Sequence, residues 1–209
     1  MNRRHKKPQS IDSKVFARIF GAGRGYVFTP SDFLHLGSRA AVYTTLARGA
    51  KAGRIRKLAQ GLYDYQRIGA DGQPLLPTTE AVVRALVGRE ATRFQPFGAH
   101  AANVLGLTEQ VPVRVVFLTD GKSRTVSIGR RKILLRHATP RQMATAGRKS
   151  GTIIQALRWL GKRSVDDSTI ARVRAQLTPR ERRELWKDVR HGPVWMTEIL
   201  RAIARDERP

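Results

Sequence analysis

The stretch from residue 26 to residue 65 constrains the fold most, because it combines two closely spaced helix starts with a short basic hairpin. Thr29 can cap a helix, Pro30 suits the first helical position, and Asp32 can bond back to the cap. Gly37 is expected to end this short helix. Ser38 follows directly as a second cap, so the sequence predicts two helices joined by a tight turn.

The second helix is predicted to run from Ser38 to Gly53 with one buried and one exposed face. Apolar side chains recur at every fourth position on the inward face, at Val42, Leu46 and Ala50. The side chains expected on the opposite face are Thr44, Arg48 and Lys51. This division is typical of a recognition helix, which packs on a core with one side and meets DNA with the other.

Residues 54–58 and 62–65 predict a β-hairpin, because two alternating segments flank a turn that contains Gly61. Upstream, Ile11, Val15 and Ile19 have the spacing of an amphipathic helix. A helical core followed by a basic hairpin is the order of a winged helix-turn-helix. We therefore predict such a DNA-binding domain over residues 1–70, with a basic arm at residues 2–7.

A second domain is predicted over residues 74–209, after a loop of turn-forming residues at 69–74. Its first helices are expected at 78–87 and 98–105. Branched residues then predict three short strands that form an antiparallel meander, at 111–118, 125–128 and 132–135. Thr139-Pro140 and Thr178-Pro179 repeat the helix-start pattern of Thr29, and helices continue to the end. The predicted fold class is therefore α+β, a winged helix-turn-helix followed by a mixed helical domain with a small antiparallel sheet.

The charge of the chain indicates a polyanionic partner. There are 40 Lys and Arg residues against 16 Asp and Glu, a formal net charge of +24. Residues 1–70 contain 14 of the basic and only 3 of the acidic residues, so the charge density is highest in the predicted DNA-binding domain. Duplex DNA is the partner that fits both the fold and the charge.

In a winged helix-turn-helix the first turns of the recognition helix meet base edges and nearby phosphates, and the hairpin meets the backbone. The predicted DNA-binding residues are Ser38, Arg39, Tyr43, Thr44, Arg48, Lys51, Arg54, Arg56 and Lys57. Tyr43 borders the apolar stripe, so packing in the core is its alternative role. A second basic surface is predicted on the strands, from Arg114, Arg124, Arg130, Arg131, Lys132 and Arg136.

Catalytic and metal chemistry is not predicted. The chain has no cysteine, which excludes disulfides, thiolate ligands and a cysteine nucleophile, and its five histidines are scattered without ligand spacing. No nucleophile, base and orienting group can be assembled, so we expect no enzyme activity, metal or cofactor. No apolar run reaches the roughly 18 to 20 residues that span a bilayer, and the first residues lack a secretion signal. We expect a cytoplasmic protein.

The order of residues from 28 to 137 resembles the AbiEi-like antitoxins of type IV toxin–antitoxin systems. The resemblance lies in Gly61-Leu62-Tyr63 of the hairpin, the loop to Pro74 and Pro77, and the segment FGAHAANVLGLTEQVP at residues 97–112. It covers roughly half the chain. The resemblance implies a winged helix that binds the operon's own promoter as an autorepressor. It also implies a C-terminal region that neutralises a cognate nucleotidyltransferase toxin, with or without a stable complex.

Two other functions remain open at this point. The first is a stand-alone transcription regulator whose second domain senses a ligand or mediates self-association; a toxin gene next to this one would decide between the two. The second is an RNA-binding protein that uses the basic strand surface. RNA recognition would need an aromatic stacking surface there, and the sequence offers only Phe117 nearby.

Overall fold

The computed structural model describes residues 10–88, 93–110 and 112–205, and it confirms the α+β class. The predicted basic arm at residues 2–7 lies outside the described residues, as does residue 111 at the start of the first expected strand. The chain divides into two compact units, Met1–Ala91 and Thr92–Pro209.

The first unit is built from three α-helices, a 3₁₀ helix and five short strands within its described residues. In chain order these are α1 (Ile11–Gly21), β1 (Val27–Phe28), the 3₁₀ helix (Pro30–Leu36), α2 (Arg39–Lys51), β2 (Arg56–Ala59), β3 (Leu62–Asp64), β4 (Arg67–Ile68), β5 (Pro74–Leu75) and α3 (Thr79–Val87). Strands β1, β3 and β2 form one antiparallel sheet in that order, and β4 pairs with β5.

The predicted caps form in this unit. The backbone N–H of Thr29 donates to Asp32 Oδ2 at 2.8 Å, and Ser38 Oγ accepts from the backbone N–H of Ala41 at 3.3 Å. The segment that starts at Thr29 is a seven-residue 3₁₀ helix rather than an α-helix. Tight 3₁₀ geometry suits so short a piece of chain between a cap and Gly37.

The core of the first unit lies between the helices and the three-stranded sheet. Its buried apolar members are Val15, Phe16, Ile19, Phe28, Phe33, Val42, Leu46, Ile55 and Tyr63. The predicted hairpin is present as β2 and β3, and Gly61 in its turn has a φ of 67°, a conformation that favours glycine. The hairpin therefore packs on the core through Tyr63 and leaves its turn in solvent.

The expected loop at 69–74 is the tip of the β4–β5 hairpin. The backbone N–H of Gly69 donates to the carbonyl of Gln73 at 2.8 Å, and Asp71 Oδ1 accepts from the N–H of Gln73 at 3.0 Å. Helix α3 follows within the same unit. The division between units therefore falls after α3, not at residues 70–74 before it, because turn-forming residues mark a hairpin as readily as a linker.

The second unit combines one sheet with a helical cluster. Its elements are β6 (Phe94–Phe97), α4 (Ala99–Val104), β7 (Arg114–Thr119), β8 (Arg124–Ile128), β9 (Arg131–His137), α5 (Lys149–Leu160), a 3₁₀ turn (Lys162–Ser164), α6 (Asp167–Ala175), α7 (Pro179–Asp188), two 3₁₀ turns (Val189–His191 and Val194–Met196) and α8 (Thr197–Ala204). The helices enclose a core of Ala101, Ala102, Leu105, Ile153, Ile154, Leu157, Val173, Leu185, Met196, Leu200 and Ile203, among others.

The predicted antiparallel meander is wrong. The strand order is β6–β7–β9–β8, and β7 runs parallel to β9, with Arg114 opposite Lys132. Burial explains the arrangement: β9 carries the buried Ile133 and Leu135 and takes a central place, whereas β8 is mostly exposed along its length. A polar strand suits the edge of a sheet, and an apolar one its centre.

The two later helix starts behave differently. At Thr178 the backbone N–H donates to Glu181 Oε2 at 2.8 Å and α7 begins as predicted. At Thr139 the equivalent contact to Gln142 Oε1 also forms, at 3.1 Å, but residues 140–147 make successive turns and no helix follows until α5. A capping pattern thus fixes a local bend, while the residues after it decide whether a helix continues.

The close packing of α1 on α2 provides a test of this fold. A Cβ added at Gly49 of α2 would overlap Cζ of Phe16 in α1. We expect Gly49→Ala to lower the free energy of unfolding by about 1–3 kcal/mol through overpacking, measured by urea denaturation. The matched control is Gly21→Ala at the end of α1, where the added methyl meets open space and stability should stay unchanged or rise slightly. Equal stability of the two variants would contradict this packing.

Candidate nucleic-acid interface

Helix α2 presents one continuous polar face to solvent. Val42, Thr45, Leu46 and Gly49 are buried against the core. The exposed side chains include the predicted residues Ser38, Arg39, Tyr43, Thr44, Arg48 and Lys51. Because the helix begins at the Ser38 cap, Arg39, Tyr43 and Thr44 lie in its first two turns. The structure therefore brings these predicted residues together on one accessible surface.

Tyr43 belongs to this surface and not to the core. Its side chain is 38% exposed, and the guanidinium carbon of Arg39 lies 5.5 Å from the centre of its ring, within cation–π range. Burial raises the phenol pKa of Tyr63 on β3, and the charge of Tyr43 raises it further. Tyr63 belongs to the same buried core as Val42 and Leu46 of α2, so the helix and the hairpin pack on one core.

Arg48 has an intramolecular partner on α1. Its Nη2 lies 3.0 Å from Asp12 Oδ2 and 3.1 Å from Oδ1, and the Thr45 hydroxyl donates to the same carboxylate. The ion pair is solvent-exposed on both sides, at 66% for Arg48 and 43% for Asp12. Pairs this exposed contribute only about 0–1 kcal/mol. Arg48 can therefore exchange Asp12 for a phosphate at little cost.

Arg56 is held inside the first unit. Its Nε and Nη2 donate to the two carboxylate oxygens of Asp64 at 3.0 and 2.6 Å, and Nη2 also donates to the carbonyl of Leu75 at 2.8 Å. Asp64 is 1% exposed and Arg56 only 21%. These contacts join β2, β3 and β5. Of the two basic residues predicted on this strand, Lys57 is exposed and Arg56 has a structural role.

Arg24, which was not among the predicted residues, lies beside the predicted residue Arg54. Arg54 stacks on Phe16, with its guanidinium carbon 3.7 Å from the ring centre. Arg24 lies 5.0 Å from the ring centre of Tyr65, and its Nη1 donates to the carbonyl of Gln66 at 3.1 Å. Together they line a shallow cleft of about 270 Å³. Two arginines held on aromatic rings suit a phosphate group.

The sequence does not predict a role for Arg24, because this residue lies among glycines at residues 21–25, which are typical of a connecting turn. The sequence indicates a role for Arg24 only through its charge, because the other residues of this turn are glycine and alanine. The contacts that define its position come from Tyr65 and Gln66, about 40 residues further along the chain. These are tertiary contacts, and no local sequence pattern predicts them.

The six residues of the predicted second basic surface do not form one surface. Arg114 and Lys132 are directly opposite each other across β7 and β9, and Arg136 has the same alternation on β9. These three share a face of the sheet, because side chains of alternate residues point to the same side. All three are exposed.

The other members lie elsewhere. Arg124 pairs with the buried Leu135, and Arg131 pairs with the buried Ile128, which places both at the opposite face of the sheet. Arg130 lies in the turn between β8 and β9. Only half of the predicted set therefore contributes to a common basic surface.

The aromatic residue that an RNA-binding surface would require is not available there. Phe117 is fully buried. On the face with the basic residues, Phe97 lies beneath Arg136, whose guanidinium carbon is 4.4 Å from the ring centre. An arginine already occupies the ring on which a base would stack.

Comparison with known proteins places the chain in one family. The family of unknown function DUF6088 matches residues 14–185, and the chain belongs to it. No curated protein and no solved structure matches the chain. Among the residues that the structure describes, no helix is long and apolar enough to cross a membrane, and no group of three His, Asp or Glu side chains is placed to hold a metal ion.

The roles of Arg56 and Lys57 can be separated by substitution. Arg56→Ala leaves the buried Asp64 carboxylate without its partner, and we expect the free energy of unfolding to fall by about 3–5 kcal/mol. Lys57→Ala on the same strand should leave it unchanged, because Lys57 is exposed. Thermal unfolding monitored by circular dichroism measures both. A melting temperature for Arg56→Ala equal to that of Lys57→Ala would contradict the structural role of Arg56.

Proposed function

We propose that this DUF6088 protein binds duplex DNA through an N-terminal winged helix-turn-helix, and that it is an autorepressing antitoxin of a type IV toxin–antitoxin system. In this proposal α2 is the recognition helix and the β2–β3 hairpin is the wing. The observation that carries the DNA-binding half is the polar face of α2, which presents Arg39, Tyr43 and Thr44 in the turns after a capped N-terminus. The hairpin that packs on the same core presents Lys57 to solvent.

The dimensions and chemistry of that face suit the major groove. A single exposed helix fits the groove, and side chains in its first turns reach base edges. Thr44 can contact a base by its hydroxyl or methyl group, and Arg39 can donate two hydrogen bonds to guanine. Ser38 accepts the Ala41 N–H and keeps its own hydroxyl hydrogen for a phosphate oxygen.

The charges around α2 suit the DNA backbone. The described residues 10–88 contain eleven Lys and Arg against five Asp and Glu. Of those five carboxylates, Asp64 is buried in its pair with Arg56 and Asp32 bonds to the Thr29 cap. Lys51, Arg54 and Lys57 are exposed beyond the base-reading turns. In this proposal they contact phosphates beside the groove, which positions the helix without reading sequence.

The antitoxin half of the proposal depends on the resemblance at residues 97–112. In the structure residues 97–110 of this segment form the end of β6, then α4 and the loop after it. Asn103 Nδ2 donates to the carbonyls of Thr108 at 3.3 Å and Gln110 at 3.2 Å. These hydrogen bonds stabilise the loop after α4. The resemblance to the AbiEi-like antitoxins therefore supports a similar fold of this region in both. The proposed partner is a nucleotidyltransferase toxin encoded beside this gene, and its proposed place of action is the cytoplasm.

A stand-alone regulator is the second candidate function, and the same surface of α2 supports it equally. The two differ only in what the second unit does. RNA binding through the sheet is less well supported, because Phe117 is buried and Arg136 covers Phe97.

The DNA-binding proposal predicts different effects for helix and hairpin residues. Arg39→Ala and Thr44→Ala should each reduce the preference for the protein's own promoter over random duplex by ~1–3 kcal/mol. Lys57→Ala should weaken binding to both duplexes alike and reduce the salt dependence by about one phosphate contact. Fluorescence anisotropy of the full chain at several salt concentrations measures this. No affinity of the unaltered chain for either duplex at low salt would end the proposal.

The antitoxin proposal predicts that neutralisation survives the loss of specific DNA binding. The full chain with Arg39→Ala and Thr44→Ala should still rescue growth of cells that express the neighbouring nucleotidyltransferase, because the second unit is unchanged. Expression of both proteins from promoters unrelated to the operon removes effects of repression. Failure of the unaltered chain to rescue growth, with the toxin shown to be active, would leave the stand-alone regulator.

A further inference from the structure

The second unit contains a polar cleft that DNA binding does not use. Its volume is about 340 Å³, within the range of small-molecule sites. The cleft lies where the turns at 140–147 meet one side of α5 and the chain at 191–193. The side chains that give it its character are Arg141, Thr145, Ile154, Gln155, Arg158 and His191.

The cleft is suited to an anion. Arg141 and Arg158 are exposed at its rim, and His191 is half-buried beside them. None of the described residues that line it is a carboxylate. The nearby chain does contain Asp188, but that carboxylate accepts a hydrogen bond from Ser150 at 2.5 Å and is paired with Arg148 at 3.2 Å. The two rim arginines therefore face a site without internal negative charge.

Gln155 supplies a second recognition feature. It lines the cleft and is only 4% exposed, and its Oε1 has no hydrogen-bond partner among the described residues. A buried acceptor without a partner is unfavourable, and native structures seldom leave one without a reason. A ligand that brings an N–H or O–H group to Gln155 would satisfy it.

The remaining lining distinguishes a larger ligand from a bare anion. Ile154 provides a buried apolar wall, and Thr145, which is 4% exposed, provides a hydroxyl. The cleft thus offers a cationic rim, a polar amide and an apolar side within one volume. A small phosphorylated molecule that carries a ring and hydrogen-bond donors matches all three features.

We propose that this cleft binds a nucleoside monophosphate. Arg141 and Arg158 hold the phosphate, Ile154 packs against the nucleoside, and Gln155 accepts a hydrogen bond from its sugar or base. This proposal is independent of DNA binding, because every residue that it uses lies in the second unit.

Isothermal titration of the full chain with AMP, GMP, CMP and UMP tests the proposal, with inorganic phosphate and adenosine as comparison probes. At least one nucleotide should bind more tightly than inorganic phosphate and than the unphosphorylated nucleoside. Arg158→Ala and Arg141→Ala should each weaken that binding by about tenfold or more, as expected for a lost charge-assisted contact. The matched control is Arg183→Ala, an exposed arginine on α7 outside the cleft, which should leave affinity unchanged.

Gln155→Leu tests the contact with the sugar or base separately from the contacts with the phosphate. This substitution keeps the side-chain size and removes the acceptor, so it should weaken nucleotide binding and leave the weaker binding of inorganic phosphate unchanged. The melting temperature of each variant establishes that it is folded. The proposal is overturned if no nucleotide binds at millimolar concentration, if inorganic phosphate binds as tightly as every nucleotide, or if Arg183→Ala weakens binding as much as Arg158→Ala.

Discussion

The packing of α1 against α2 is the constraint on which the proposed interface depends. Phe16 lies directly over Gly49, where any larger residue would collide with its ring, and Val42 and Leu46 are fully buried on the same side of the helix. Because that side is fixed in the core, the helical period of 3.6 residues places Arg39, Tyr43 and Thr44 on the solvent-exposed side of the helix. The accessibility of these three proposed DNA contacts is thus a consequence of a core contact that involves none of them.

The basic residues around α2 divide into those that maintain the unit and those that remain for a partner. Arg56 satisfies the buried Asp64 and connects the hairpin to β5, so its charge is already used. Arg54 and Arg24 are held on aromatic rings, which limits their conformations but leaves their N–H groups near a cleft. An arginine that is held in place loses less entropy when it binds a phosphate. The proposed interface is therefore partly pre-organised.

Local sequence patterns predicted much of this fold. Contacts between residues that are distant in the sequence could not be predicted from such patterns. Ser38 and Thr178 start helices as predicted, because a cap and its N–H partner are three residues apart. The parallel pairing of β7 with β9 was missed, since adjacent segments joined by turns suggest a meander and the competing partner is distant in sequence. The role of Arg56 was missed for a similar reason: its exposure depends on Asp64 and on the carbonyl of Leu75, which no spacing rule connects to it.

Site-specific photo-cross-linking tests the central claim, that α2 is the element that enters the DNA groove. A photoreactive phenylalanine analogue placed at Thr44 in the full chain should cross-link to bases of the protein's own promoter, at low salt and in competition with random duplex. The same analogue at Trp186, an exposed position on α7 in the second unit, should not. Cross-linking from position 186 with none from position 44 would contradict the account.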